Sequence, residues 1–140
     1  MTQNQPTELL WEKIQTGARG ISRSEPSLQA YMQNAILNHR SLLSALSFLL
    51  ANKLQCKSVT ESVLRDIFGL AFSSNIEIEK TISDDIQALI ERDSACHSFL
   101  SAFTHYKGFH ALQAWRAAHW LWHQNRKSLA FMLQNRISVV

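Results

Sequence analysis

Apolar residues recur three and four positions apart along nearly the whole chain, so the pattern predicts helices separated by short polar breaks, without strands. A first helix is expected from about Thr7, an N-cap candidate, through Leu10, Trp11, Ile14 and Ala18 to about Ile21, with Gly17 and Gly20 weakening its end. Ser24-Glu-Pro is expected to open a second, with serine as cap, proline in the first turn, and Leu28, Tyr31, Met32, Ala35 and Ile36 as its buried stripe. A third follows Asn38-His-Arg-Ser, carries Leu42, Leu43, Leu46, Leu49 and Leu50, and fades between Lys53 and Ser58. Thr60-Glu restarts a helix through Val63, Leu64, Ile67, Phe68 and Phe72, which Ser73-Ser-Asn breaks. From Ile76 to Glu91, Ile78, Ile82, Ile86, Leu89 and Ile90 share one side while Glu77, Glu79, Lys80 and Asp84 lie largely elsewhere. The polar tract Arg92-Asp-Ser-Ala-Cys-His ends that helix, and a short helical turn through Phe99, Leu100 and Phe103 leads to Lys107-Gly108. A last segment is expected from Ser128 to about Ile137.

Between these lies Tyr106 to Trp122, which holds three of the four tryptophans and two of the six histidines and reads as the central helix. At about 100° per residue, Phe109, Leu112, Trp115, Trp120 and Trp122 cover one half of the cylinder, and Ala111, Ala114, Ala117, Ala118 and Leu121 the other. Neither half is a solvent face, so the helix is expected to be surrounded by others, with alanines admitting a close neighbour. Arg116, His119 and His123 fall within the aromatic half and need partners, either in the fold or across an interface. The sum is an all-α domain, a compact bundle of about seven or eight helices, over residues 1–140.

Composition narrows the class. With 46% hydrophobic and 18% charged residues in 140, this is an ordinary globular chain with enough length for one core. No apolar run approaches the roughly 18 to 20 residues that span a bilayer. The opening Met1-Thr-Gln-Asn-Gln-Pro has neither a basic nor an apolar leader region, so a cytoplasmic protein is expected, with no membrane partner. A net charge of +3 from scattered cations gives no basic face for nucleic acid. Cys56 and Cys96, forty positions apart and outside any CxxC, are expected as free thiols. Ile137-Ser-Val-Val140 is a β-branched run after a helix, which suggests that more chain follows and that the 140 residues are part of a longer protein or were cut from one.

Few residues advertise chemistry. His119 and His123 at i, i+4 could share a metal, but no third ligand is near in sequence and no His-Glu-x-x-His pattern exists, so no metal site is assigned. No spacing singles out a catalytic triad, and Gly108 stands alone, so no phosphate loop and no bound cofactor are expected. Asp93, a carboxylate at a helix end beside Arg92, reads from its chemistry alone as a solvated loop acid.

Asp85-Ile-Gln-Ala, Glu91-Arg-Asp93, Tyr106-Lys-Gly-Phe-His-Ala-Leu-Gln-Ala-Trp-Arg116, His119-Trp-Leu-Trp122 and Leu133-Gln-Asn135 together resemble the amino-terminal helical domain of bacterial serine O-acetyltransferase. The resemblance extends to Leu10-Trp11, Ser24-Glu-Pro26, Ser44-Ala-Leu and Leu50-Ala-Asn-Lys-Leu54, in order along nearly the whole chain. It implies an acyltransferase of cysteine biosynthesis that moves acetyl from acetyl-CoA to L-serine, in which a left-handed parallel β-helix follows the helical domain. The family's catalytic histidine and acetyl-CoA cleft belong to the β-helix, so no catalytic residue is assigned here and the segment alone is expected to be inactive. One site residue carries over: Asp93, as ligand of the substrate ammonium in a pocket that also admits L-cysteine as feedback inhibitor. The family's usual proline after this aspartate is Ser94 here, which removes the fixed proline φ from the loop. The resemblance also implies self-association, as a hexamer made of two trimers, for which an aromatic side bearing Arg116 and Trp120 has suitable residue types. Docking to O-acetylserine sulfhydrylase would run through the family's distant carboxyl tail. The competing expectation is a stand-alone helical interaction module without catalytic activity.

Overall fold

The computed structural model describes residues 5–140, and the expectation of no leader peptide bears on residues that lie outside them. Among the described residues the chain is helical throughout, without a strand: α1 (Gln5–Ser24), a 3-10 turn (Pro26–Leu28), α2 (Gln29–Met32), a π-helical turn (Gln33–Leu37), α3 (Leu42–Leu54), α4 (Glu61–Ser73), α5 (Ile78–Arg92), α6 (Phe99–His105), α7 (Lys107–His123) and α8 (Lys127–Val139). The all-α reading holds.

Three starts are set by local chemistry. Ser41, Thr60 and Ser98 each take extended backbone and accept the N–H three residues on, from Ser44 at 3.2 Å, Val63 at 3.4 Å and Ser101 at 3.0 Å. Each satisfies an N–H that has no intrahelical acceptor, worth about 1 kcal/mol relative to alanine. The stop after α7 is equally local. Asn125 adopts φ 60, a left-handed conformation that asparagine tolerates, and lets Arg126 N–H return to the Leu121 carbonyl at 3.0 Å.

Several boundaries differ from the sequence reading. Thr7 lies inside α1 rather than capping it, where it is buried and its hydroxyl accepts from Ser83 Oγ at 3.3 Å. The helix runs through Gly17 and Gly20 to Ser24, so neither glycine ends it and Ser24 caps nothing downstream. At Gly17, where α6 packs on α1, a Cβ would just touch Leu100 at 3.4 Å. Leu28 and Tyr31 are exposed, so the second helical region buries only Met32, Ala35 and Ile36; its turns change from 3-10 through α to π and rotate the stripe. Ile76 is exposed ahead of α5. At the other end, the β-branched run does not hang free: α8 continues to Val139. Arg136 anchors it, with Nε donating to the Leu54 carbonyl at 2.6 Å and its terminal nitrogen to that of Gln55 at 3.1 Å, two acceptors that the end of α3 leaves open.

One core unites the helices. Ile14, Ile36, Leu46, Leu50, Leu64, Phe68, Ile82, Ile86, Phe103, Leu121 and Leu133 are fully buried. Each such side chain contributes about 1.5 to 3 kcal/mol through removal from water. α3 packs along α4, α7 along α8, and α1 against α6, with α7 also touching α4 and α5. α7 is therefore central, but only on one side. Ala114, Ala117, Ala118 and Leu121 are buried, whereas Leu112, Trp115 and Trp122 are exposed, Trp115 by 49%. The expectation of a helix surrounded on all sides fails along the stripe of Leu112, Trp115 and Trp122, and also at Ala111, which is exposed; Phe109 of the aromatic half is buried against Phe103, and close crossing is made by Ala114, Ala117 and Ala118. Trp120 alone of these tryptophans leans back onto the core. No described helix is long and apolar enough to cross a membrane.

Candidate functional site

Asp93 is the C-cap of α5, and its extended backbone (φ −108, ψ 106) turns the chain out of the helix. One carboxylate oxygen, Oδ1, accepts the Ala95 N–H at 2.9 Å, and the Asp93 carbonyl accepts the Cys96 N–H at 3.0 Å. The turn that proline would stiffen in the family is thus closed by the aspartate's own side chain, with Ser94 at its crest. A carboxylate has about four lone-pair positions, so this use leaves acceptor capacity for a ligand. Cys96 is buried, and its thiol and the Asp93 carboxylate stand close to the hydroxyl of Tyr106. Desolvation first, then the hydrogen-bonding and charge of Cys96 and Asp93, raise the Tyr106 phenol above its ordinary pKa. At neutral pH the phenol is protonated and can donate toward the carboxylate.

Alongside runs an open cleft between α5 and the start of α7, lined by Leu89, Arg92, Tyr106, Gly108, Phe109 and Leu112 among others. A Cβ on Gly108 would meet nothing within 4 Å, so glycine leaves the cleft mouth open rather than relieving a clash. At its inner edge Asp85 Oδ2 accepts from Gln113 Nε2 at 2.8 Å and from the Arg116 guanidinium at 2.9 Å. Arg116 Nε also donates to Gln113 Oε1 at 3.2 Å, which closes the triad. This answers the question of Arg116: its partner is inside the fold, on α5, rather than across an interface.

His110 forms the second polar joint. Its Nε2–H donates to the Phe103 carbonyl at 2.6 Å, and Nδ1 accepts from the Lys53 ammonium at 2.7 Å, so one imidazole ties α7 to α6 and α3. Burial, aided by the charges of Lys53 and His105 and opposed by the Phe103 carbonyl, lowers its pKa to about 4. Burial and the neighbouring Lys107 likewise lower Lys53. This histidine is neutral at pH 7 with both nitrogens engaged, and has no free position from which to act as a base. It borders a small apolar cavity shared with Leu50, Leu54, Ala114, Ile137 and Val140.

The structure therefore brings the quoted sequence blocks together: the Asp85 block meets the Gln113-Ala-Trp-Arg116 block, and the Glu91-Arg-Asp93 block meets Tyr106. The partners of Asp93 and His110 could not be found from spacing, since Lys53 lies 57 positions from His110. Arg116, a cation within the aromatic half of α7, was the sequence signal of a polar joint; that Gln113 is fully buried beside it only the structure shows. Cys56 is an exposed and Cys96 a buried free thiol. Among the described residues no three His, Cys, Asp or Glu side chains form a metal cluster.

Residues 10–114 match the family described as "Serine acetyltransferase, N-terminal". The chain is 39% identical over 132 residues to the serine acetyltransferase of Escherichia coli K12, covering 94% of this chain and 48% of the relative. It is 43% identical over 130 residues to that of Haemophilus influenzae, covering 93% and 49%, and 42% identical over 137 residues to serine acetyltransferase 4 of Arabidopsis thaliana, covering 98% and 39%. The chain thus spans about half the length, or less, of these curated relatives. Among solved structures, soybean serine acetyltransferase complexed with serine superposes with a TM-score of 0.93 at 41% identity, over 96% of this chain and 56% of that one. A serine acetyltransferase in complex with CoA gives 0.92 at 43% identity over 95% and 57%, and one in complex with cysteine 0.89 at 43% over 93% and 54%. With this architecture, these motif contacts and a family match over three quarters of its length, the chain belongs to the serine acetyltransferase family and carries that family's amino-terminal helical region.

Proposed function

We propose that this chain is the amino-terminal assembly and substrate-site domain of a serine O-acetyltransferase, the cytoplasmic enzyme that transfers acetyl from acetyl-CoA to the hydroxyl of L-serine on the way to cysteine. The carrying observation is the match of nearly the whole chain to the amino-terminal regions of relatives of that name, some solved with serine, CoA or cysteine bound. In this reading the general base that takes the serine hydroxyl proton, and the thioester cleft, lie on a following β-helix. The chain's own contribution to chemistry is Asp93. Its turn fixes the carboxylate at the end of α5 with acceptor positions to spare, suited to a primary ammonium, and Tyr106 lies beside it. The same carboxylate would serve L-cysteine, whose amino-acid half is identical to that of serine, and cysteine inhibition follows from that identity. Docking of O-acetylserine sulfhydrylase belongs to a carboxyl tail beyond these residues.

The assembly role rests on the exposed face of α7. Leu112, Trp115 and Trp122, joined by Phe131 of α8 at 5.3 Å from the Trp122 ring, form an apolar surface of the residue types that dominate interface cores. A trimer of the whole enzyme could pair with another through it to give a hexamer. The interface is thereby moved from Arg116 and Trp120, which the fold itself engages, to Trp115 and Trp122.

An acetyl-transfer assay with L-serine and acetyl-CoA tests the reading, run on this chain and on the chain fused to the carboxyl half of the Haemophilus influenzae relative. Activity in the fusion alone is expected. Turnover by the 140 residues themselves would overturn it. The same exposed face also suits a stand-alone interaction module, for which an inactive fusion together with a stable homo-oligomer of the chain would speak.

A further inference from the structure

His119 and His123 sit one turn apart on the exposed face of α7. Their Nε2 atoms lie 3.1 Å apart, while the ring centres lie 4.4 Å apart. The nitrogens are thus nearer than the rings that carry them, so the two Nε2-bearing edges converge. Trp115 stacks on His119 at 4.9 Å with 21° between planes and restricts the turning of that ring. Both imidazoles are exposed, and no described acid or cation pairs with either.

That separation is the bite of a chelate. With metal–nitrogen bonds of about 2.05 Å, nitrogens 3.1 Å apart subtend roughly 98° at the ion, between the octahedral right angle and the tetrahedral value. We propose that His119 and His123 form a bidentate surface site for a divalent late transition-metal ion, with Ni2+ and Zn2+ the matching class. Imidazole nitrogen is the ligand these ions favour, whereas Mg2+ and Ca2+ require oxygen. Without metal, one Nε2–H donates to the other Nε2; binding moves that proton to Nδ1 and turns both Nε2 lone pairs on the ion. Water fills the remaining positions, since no third His, Cys, Asp or Glu side chain joins the pair among the described residues. The site takes no part in the acetyl-transfer chemistry, but it shares Trp115 with the proposed assembly face.

Isothermal titration of the chain with NiCl2 tests it, with NMR line broadening by the paramagnetic ion to locate the site. One equivalent should bind and broaden the Trp115 indole signals selectively. His119→Ala or His123→Ala should weaken binding by roughly tenfold or more, since each removes one of two linked ligands, while His97→Ala and His105→Ala should not. Combining His123→Ala with Gln124→His keeps the histidine count but breaks the spacing, and should weaken binding equally. Circular dichroism of each variant checks that these exposed substitutions leave the helices intact. Unchanged affinity in the His119 or His123 variants, loss in the His97 or His105 variants, or no binding to the parent chain would overturn the proposal.

Discussion

Acidification should destabilise this domain through His110, and the effect can be separated from every other titrating group. In the folded chain burial holds His110 at about 4, against about 6.5 for a free imidazole. The unfolded chain therefore takes up a proton between these values that the native state refuses. Stability is complete above about pH 6.5 and falls as pH drops toward 4, below which both states are protonated and the loss levels off. The full difference is about 3 kcal/mol, and about 2 kcal/mol of it is lost on going from neutrality to about pH 5. Against a total of roughly 5 to 15 kcal/mol this is large. Urea unfolding of the parent chain and of His110→Leu, across that window, measures it. The variant should be less stable at neutral pH by about 1 to 3 kcal/mol, because Lys53 and the Phe103 carbonyl lose their partner. The gap should then narrow as pH falls, since the leucine carries no proton-uptake penalty and the carboxylates common to both chains cancel. Parallel pH profiles for the two proteins would refute the linkage and place His110 in an environment where protonation is tolerated.

Other consequences follow from the same geometry. In the fused active enzyme, Asp93→Ala should raise the KM for serine far more than that for acetyl-CoA; equal effects on both would return Asp93 to a turn-forming role. Arg116→Ala should cost about 1 to 3 kcal/mol by leaving Asp85 and Gln113 short of a donor, and a double-mutant cycle with Asp85→Ala in urea unfolding should reveal a coupling of like sign. Replacing Trp115 and Trp122 with serine should lower the sedimentation-defined assembly state with helix content kept, whereas Trp120→Ala should also reduce stability because that ring packs on the core. Gly69→Ala should stabilise by up to about 1 kcal/mol in thermal unfolding, since Gly69 is exposed in mid-helix and a Cβ there meets nothing within 4 Å.

What the sequence alone determined is local or periodic. Ser41 and Thr60 act through atoms three residues away, so the starts of α3 and α4 needed no knowledge of the fold; Ser98 caps α6 in the same local way but was not read as a cap. The apolar side of α5 was likewise legible, because Ile82 and Ile86 contrast sharply with the charged residues around them. Asp93 was legible only through the family pattern, its neighbours Cys96 and Tyr106 being contributed by the turn after α5 and by the junction between α6 and α7. The tertiary structure decided what the sequence left symmetric. Both halves of α7 are apolar, and hydrophobicity would bury the larger tryptophans first; close crossing by neighbouring helices instead selects Ala114, Ala117 and Ala118 and leaves Trp115 and Trp122 outside. Long-range polar joints belong to the same class: Lys53 with His110, Asp85 with Gln113 and Arg116, and Arg136 with the end of α3 are fixed by which helices meet. Arg136, by holding α8 to the last carbonyls of α3, also accounts for a β-branched carboxyl run that stays helical to Val139 against its own propensity.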